Sequence, residues 1–428
     1  MKKIMFVWLC FLSFAFANVA DATLEVVKKF GDIPSILVQN VGGNYAEREF
    51  SQKIFKMLVA DLKVTGHFTV QESTEVIASE MLVNFDEYRQ NKIDLVVRIK
   101  AEKSGNGVIA RLQLYDANSG TTAFSKEYKS PQQETYPFLA HKMAIDVNAY
   151  IKAPSVEWME RMVILSYYIK PGESEILMSD YTLTYKKKVV SGGLNIFPKW
   201  ANAEQSAFYY TKYLNKPTLF RFDLATGQNQ RMFDSDGMLV ASDVSDDGSK
   251  ILLTMAPNEQ PDIFIYDVAN GGLKRLTKYS GIDVSGNFID DEERVMFISD
   301  RLGYPNVFAI PATGEEAGKV EQMVFHGRNN NAANAHGNYI VYSSRESSDA
   351  FSSNTFNLYL VSTKSDFIRR LSANGVNQLP RFAKDGETIM YIKHEANQSA
   401  LGIIRLNYNK TLLFPLQVQG GIIQSMDW

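Results

Sequence analysis

From residue 157 onward the chain repeats itself, and the length of that repeat decides what it can become. A bulky residue is followed by a polar turn and, seven residues on, by a short apolar strand. The unit appears as Trp200 before Ala207-Phe208-Tyr209-Tyr210, Val244 before Ile251-Leu252-Leu253, Phe288 before Val295-Met296-Phe297, and Phe382 before Ile389-Met390-Tyr391. A looser copy sits near Asn334, ahead of Tyr339-Ile340-Val341-Tyr342, and Trp428 opens another. Successive anchors lie 44, 44, about 46, about 48 and 46 residues apart. A second strand recurs later in each unit, as in Leu219-Phe220-Arg221-Phe222-Asp223 and Ile263-Phe264-Ile265-Tyr266-Asp267. A period of about 45 residues holding four short strands is the size of a propeller blade. Six blades fit into 157–428. The ending Gln424-Ser425-Met426-Asp427-Trp428 is similar to Asn195-Ile196-Phe197-Pro198-Lys199-Trp200. Residues 422–428 are therefore expected to complete a first blade drawn from 157–194, which removes an open sheet edge.

The residues before 153 follow another rhythm. Tyr45 to Val64 places Phe50, Ile54, Met57, Leu58 and Leu62 on one helical face, and Gly66 stops it. Phe68 to Val70 begins a strand, Ile93 to Lys100 reads as another, and Asn106-Gly107 marks a tight hairpin into Val108 to Asp116. Thr121 to Lys129 can pair next, and Thr135 to Ile151 is a second amphipathic helix. Lys152-Ala153-Pro154-Ser155 reads as a linker. The expected fold is thus mostly β: a small α/β domain over 18–153, then a six-bladed β-propeller over 157–428.

Lys2-Lys3, the apolar run from Ile4 to Phe16 and Ala15-Phe16-Ala17 have the form of a cleavable signal peptide, residues 1–17. Ala20-Asp21-Ala22 is a second cleavage candidate. Cys10, the one cysteine, lies inside it, and the bulky Val7-Trp8 before it does not suit lipidation. No later segment is long and apolar enough to span a bilayer. The expected product is exported, without disulfide or thiolate metal site. Lys+Arg of 45 against Asp+Glu of 48 carries no basic excess for nucleic acid.

Catalytic signatures are sparse. His67, His141, His326, His336 and His394 have no metal-ligand spacing, and no G-x-S-x-G elbow occurs. Gly105 to Ala110 fits a relaxed dinucleotide fingerprint, but a β run follows where a helix should open, so it reads as a hairpin. Gly314 to Lys319 lacks phosphate-loop spacing. Asp243 to Gly248 lacks the Glu that closes an EF-hand loop, position twelve being Thr254. These patterns predict no catalytic residue, cofactor or metal. The rival reading is a propeller-bearing periplasmic hydrolase or peptidase, for which no chain remains to form a catalytic domain. Asn397-Gln398-Ser399, with Glu395 two residues before it, is a glycosylation triplet that otherwise reads as a blade loop.

Several short motifs stand out: Ala60-Asp61-Leu62 with Thr65-Gly66-His67-Phe68, Ile93-Asp94-Leu95-Val96-Val97, Ala140-His141, Ser179-Asp180-Tyr181, and Phe297-Ile298-Ser299-Asp300-Arg301 with Gly303 and Pro305-Asn306-Val307-Phe308. With them the chain resembles the TolB family of bacterial Tol-Pal systems. The resemblance implies a non-catalytic periplasmic scaffold that binds the lipoprotein Pal on the propeller and the C-terminal domain of TolA through its N-terminus. It implies a role in outer-membrane integrity and constriction at division. The loops before each anchor should gather at one channel mouth as the Pal surface: Asn195, Ile196, Met238, Leu239, Val240, Ile282, Asp283, Ser285, Arg328, Asn329, Asn330, Asn377 and Gln378. Family members present His or Glu where this chain has Met238 and Ser285. The β-prone Thr23-Leu24-Glu25-Val26-Val27 is the expected TolA segment, suited to adding a strand to a sheet edge.

Overall fold

The computed structural model describes residues 33–42, 45–79, 81–314, 319–345, 355–418 and 421–428. The expected signal peptide, both its cleavage candidates and the strand Thr23 to Val27 lie outside the described residues.

The first part is a five-stranded sheet with helices. Its elements are β1 (Ser35–Val41), α1 (Tyr45–Thr65), β2 (Thr69–Ile77), α2 (Phe85–Gln90), β3 (Leu95–Ser104), β4 (Gly107–Asp116), β5 (Thr121–Ser130) and α3 (Tyr136–Tyr150). The sheet order is β2-β1-β3-β4-β5. β1 runs parallel to both neighbours, and β3, β4 and β5 form an antiparallel meander. Ser104 pairs with Gly107, so the hairpin turns on Gly105-Asn106, with Gly105 at φ +59°. A strand follows this glycine pair, as a hairpin requires and a dinucleotide loop does not. The sequence reading misses β1, whose seven residues carry only two fully buried apolar side chains, Ile36 and Val38. α1 buries Phe50, Ile54, Leu58 and Leu62 at four-residue spacing, and α3 packs beside it through Leu139, Met143 and Val147.

The strands from Val163 onward form sheets of eight, four, four and eight. Each eight-stranded sheet is held at its middle by a single residue pair, Ser174 with Leu194 and Phe356 with Val376. Divided there, the described strands fall into six units of four. The first unit takes its inner strand from the chain's end. Ile422–Asp427 runs antiparallel to Val163–Lys170, with Met426 opposite Leu165. The six inner strands are Ile422–Asp427, Leu194–Trp200, Leu239–Val244, Asp283–Ile289, Arg328–His336 and Val376–Phe382. Each touches the next, and the last returns to the first. Apolar clusters fill the spaces between units, such as Ile164, Ile176, Trp200 and Phe208 between the first two. This flat-face packing is what the high aromatic content serves.

One apolar core runs from α1 and α3 into the first and last units, through Val156, Trp158 and Met159. The linker expected at 152–155 is therefore tied down: Asn148 Nδ2 donates to Pro154 O at 2.8 Å.

Candidate docking site at the propeller channel

Every inner strand breaks register once or more against its neighbour. In three of them the extra residues are Phe197-Pro198, Ser285-Gly286 and Leu379-Pro380. The first residue of each pair has left-handed backbone, φ +53°, +59° and +51°. Such a conformation costs a non-glycine residue on the order of 1 kcal/mol or more. The second residue is one that cannot or need not join the ladder, proline or glycine. A bulge re-aims side chains, and here it turns Phe197, Pro198, Leu379 and Pro380 toward the axis. With Val240, Val284 and Met426 they wall a cavity of about 190 Å³. Met238 stands at its rim, 43% exposed.

Beyond its bulge, toward its C-terminal end, each inner strand places one polar residue: Lys199, Asp243, Asn287, Asn334, Arg381 and Asp427. These tie neighbouring units together. Asp427 Oδ2 accepts from Trp200 N at 2.9 Å, Asp243 Oδ2 from Phe288 N at 2.9 Å, and Asn334 Oδ1 from Phe382 N at 2.8 Å. Asn334 thus occupies the position before the anchor, so the fourth anchor, read near residue 334 from the sequence, falls one residue early. Lys199 sits between Asp243 at 2.9 Å and Asp427 at 3.0 Å. Arg381 Nη1 donates to Asn287 Oδ1 at 2.8 Å.

The expected mouth residues divide by burial. Asn195, Asn330 and Asn377 are buried, each amide donating to a carbonyl of the loop before it: Gly193 O, His326 O and Asn374 O. Asp283 is buried against Arg301 at 3.0 Å, and burial raises its carboxyl above the usual range despite that partner. Leu239 packs in the core between units. These five side chains hold loops and face no solvent. Ile196, Val240, Ser285, Asn329 and Gln378 are half-buried, and Met238, Ile282 and Arg328 are exposed. Of the whole set, Met238, Val240 and Ser285 line the cavity. The sequence reading misses Phe197, Pro198, Leu379, Pro380 and Arg381. Their signal is an X-Pro pair just before an anchor.

A second polar assembly joins the two parts of the chain. His141 Nδ1 bonds Asp61 Oδ2 at 2.9 Å, and its Nε2 bonds Asp180 Oδ2 at 3.3 Å. Tyr181 donates to Asp61 Oδ1 at 2.5 Å, and Tyr185 N donates to Asp180 Oδ1 at 2.6 Å. Asp61, His141, Asp180 and Tyr181 are all fully buried. Burial by itself would lower the His141 pKa. The Asp61 charge and hydrogen bonds to both carboxylates outweigh it and hold it at about 9. Asp180 is lowered because its bonds to His141, Thr182 and Tyr185 outweigh burial. Nearby, Arg405 Nη2 donates to Thr65 O and Lys410 Nζ to Lys63 O, both at 3.3 Å. Two propeller cations thus meet the C-terminal end of α1, where the helix dipole is negative. The family motifs around Asp61, His141 and Asp180 are separate in sequence and converge here. Among the described residues, no group of His, Cys, Asp and Glu is placed to hold a metal ion, and no helix is long and apolar enough to cross a membrane.

Two family profiles match this chain, the TolB amino-terminal domain over residues 22–123 and the TolB beta propeller domain over 165–428. A protein of Wolinella succinogenes named Tol-Pal system protein TolB is 60% identical, with 100% of each chain covered. Proteins of the same name from Helicobacter hepaticus and Campylobacter jejuni are 48% and 45% identical; the first covers 95% of this chain and 96% of its own, the second 100% of both. A crystal structure of TolB from Acinetobacter baumannii superposes with a TM-score of 0.75 at 19% identity, covering 92% of this chain and 96% of that one. The structural likeness confirms a propeller joined to an α/β domain.

Proposed function

The chain belongs to the TolB family, and on that premise we propose that it is a non-catalytic periplasmic scaffold of a Tol-Pal system. It binds Pal at the channel mouth of the propeller and the TolA C-terminal domain through residues 23–27. In that role it supports outer-membrane integrity and constriction at division. The observation that carries this reading is the channel itself: a closed ring of inner strands whose bulges present an apolar wall, with exposed Met238 at the rim. A small apolar concavity edged by exposed side chains suits the insertion of a partner's loop.

The hydrolase reading finds less support. His141, the histidine held by two carboxylates, is fully buried between the domains. The test is a pull-down of the tagged full chain from envelope extract, with bound proteins identified by mass spectrometry, run with and without a fluorophosphonate active-site probe. Pal and TolA should be recovered in both arms. Loss of the probe-free pattern on labelling, or covalent labelling of the chain, would replace the scaffold reading with the enzymatic one.

A further inference from the structure

The channel floor is charged unevenly. Two carboxylates, Asp243 and Asp427, flank the single ammonium of Lys199 within 3.0 Å. Arg381 has no such counterpart. Its Nη1 meets the neutral Asn287, its Nε is buried without a hydrogen-bond partner, and among the described residues no carboxylate pairs with it. The neighbouring floor residue Asn334 is neutral as well. Above it stand Leu379, Pro380, Val284 and Met426, which keep the local dielectric low. A guanidinium left uncompensated in such a place costs free energy, and a carboxylate brought to it recovers that cost. The guanidinium's planar fork of donors matches a carboxylate better than any other common anionic side chain. At about 190 Å³ the cavity is smaller than the several hundred Å³ usual for small-molecule sites, and suits one inserted side chain.

We propose that Arg381 is the specificity-determining contact of the channel. It receives a single Asp or Glu side chain, carried on an apolar loop of the protein that docks at the mouth. This rests on the preceding reading of the propeller as the Pal-binding surface and names the chemistry by which that surface selects its partner. Lys199 already has two carboxylates against its one charge, so the acid goes to Arg381 and not to Lys199.

The experiment titrates the full chain with the soluble domain of Pal by calorimetry, at low and high salt. Three proteins are compared: wild type, Arg381→Gln, and Asn287→Asp. The last supplies Arg381 with an internal carboxylate where the 2.8 Å contact now lies. Both variants should weaken binding on the order of thirtyfold or more and lose most of the wild type's salt dependence. A native circular-dichroism spectrum and an undiminished melting temperature in Asn287→Asp separate this from misfolding. Replacing the acidic residues of Pal one at a time by Gln or Asn should find one whose effect vanishes in the Arg381→Gln background. Wild-type affinity in Asn287→Asp would overturn the proposal, because Arg381 would then act only through packing. Absence of any binding by the wild type overturns the docking reading itself, and this inference with it.

Discussion

Replacing His141 by Gln should weaken the contact between the two domains and remove the part of its pH dependence that His141 carries. The folded chain holds this histidine at about 9 against an ordinary 6.5. At about 1.4 kcal/mol per tenfold change in proton affinity, the difference corresponds to about 3 kcal/mol. The pKa is raised in the fold, so the stabilisation is complete below about pH 6.5 and drains away as pH climbs from there to about 9. Tyr181 does not interfere, since burial and the Asp61 charge push it well above its usual range. Asp180 acts in the opposite window: lowered in the fold, it stabilises above its ordinary range and loses that contribution only in acid. The His141→Gln variant would leave Asp61 and Asp180 buried without a cation. Removing one partner of a buried pair costs on the order of 3–5 kcal/mol. The assay is urea unfolding followed by tryptophan fluorescence at about pH 6, 8 and 10, Trp158 lying at the domain junction. Wild type should lose about 3 kcal/mol across that range more than the variant does. Parallel stability curves for the two proteins would refute the argument, because the charge on His141 would then be immaterial.

Deleting Ile422 to Trp428 removes the buried Ile423 and Met426, worth about 2 kcal/mol each, and leaves the edge of Val163–Lys170 unpaired. Aggregation or a steep fall in melting temperature is expected, and an unchanged melting curve would contradict the pairing. The double change Met238→Asp with Ser285→Arg should weaken Pal binding while the circular-dichroism spectrum stays native; wild-type affinity would move the docking site elsewhere. A mature chain beginning at Lys28 should keep Pal binding and lose binding to the TolA C-terminal domain, measured by calorimetry. Retained TolA affinity would assign that contact to another surface.

What can be read from the residues follows the physics of each feature. The anchors Trp200, Phe288 and Phe382 stand out because each fixes a bulky side chain at the same place in a repeating unit, and a repeat is visible without knowing its neighbours. The helix Tyr45–Thr65 is legible through its four-residue apolar spacing. β1 escapes because a parallel central strand between two others shows no alternation to mark it. At the channel, Met238 and Val240 are marked by their place before an anchor. Asn195, Asn330, Asn377 and Asp283 share that place, yet their side chains turn inward to carbonyls and to Arg301. Position along a repeat does not say which way a side chain points once a bulge intervenes. The convergence of Asp61, His141 and Asp180 lies beyond sequence reasoning altogether, since it depends on how two domains abut.

The strand Ile422–Asp427 has a consequence in time. Its partners Ile164 to Tyr168 leave the ribosome more than 250 residues earlier, and Ser174 and Gln424 meet across a separation of 250. The first unit therefore waits, with one side open, until the last residues have been made and delivered. Contacts so distant along the chain are slow to form. A chain that emerges N-terminus first must keep that waiting edge from other chains; the Lys186-Lys187-Lys188 run guards only the opposite, outer edge of the same unit. Ring closure therefore waits for Ile422–Asp427, and the contacts that α1 makes with Arg405 and Lys410, 340 and 347 residues away, wait for the same late stretch of chain.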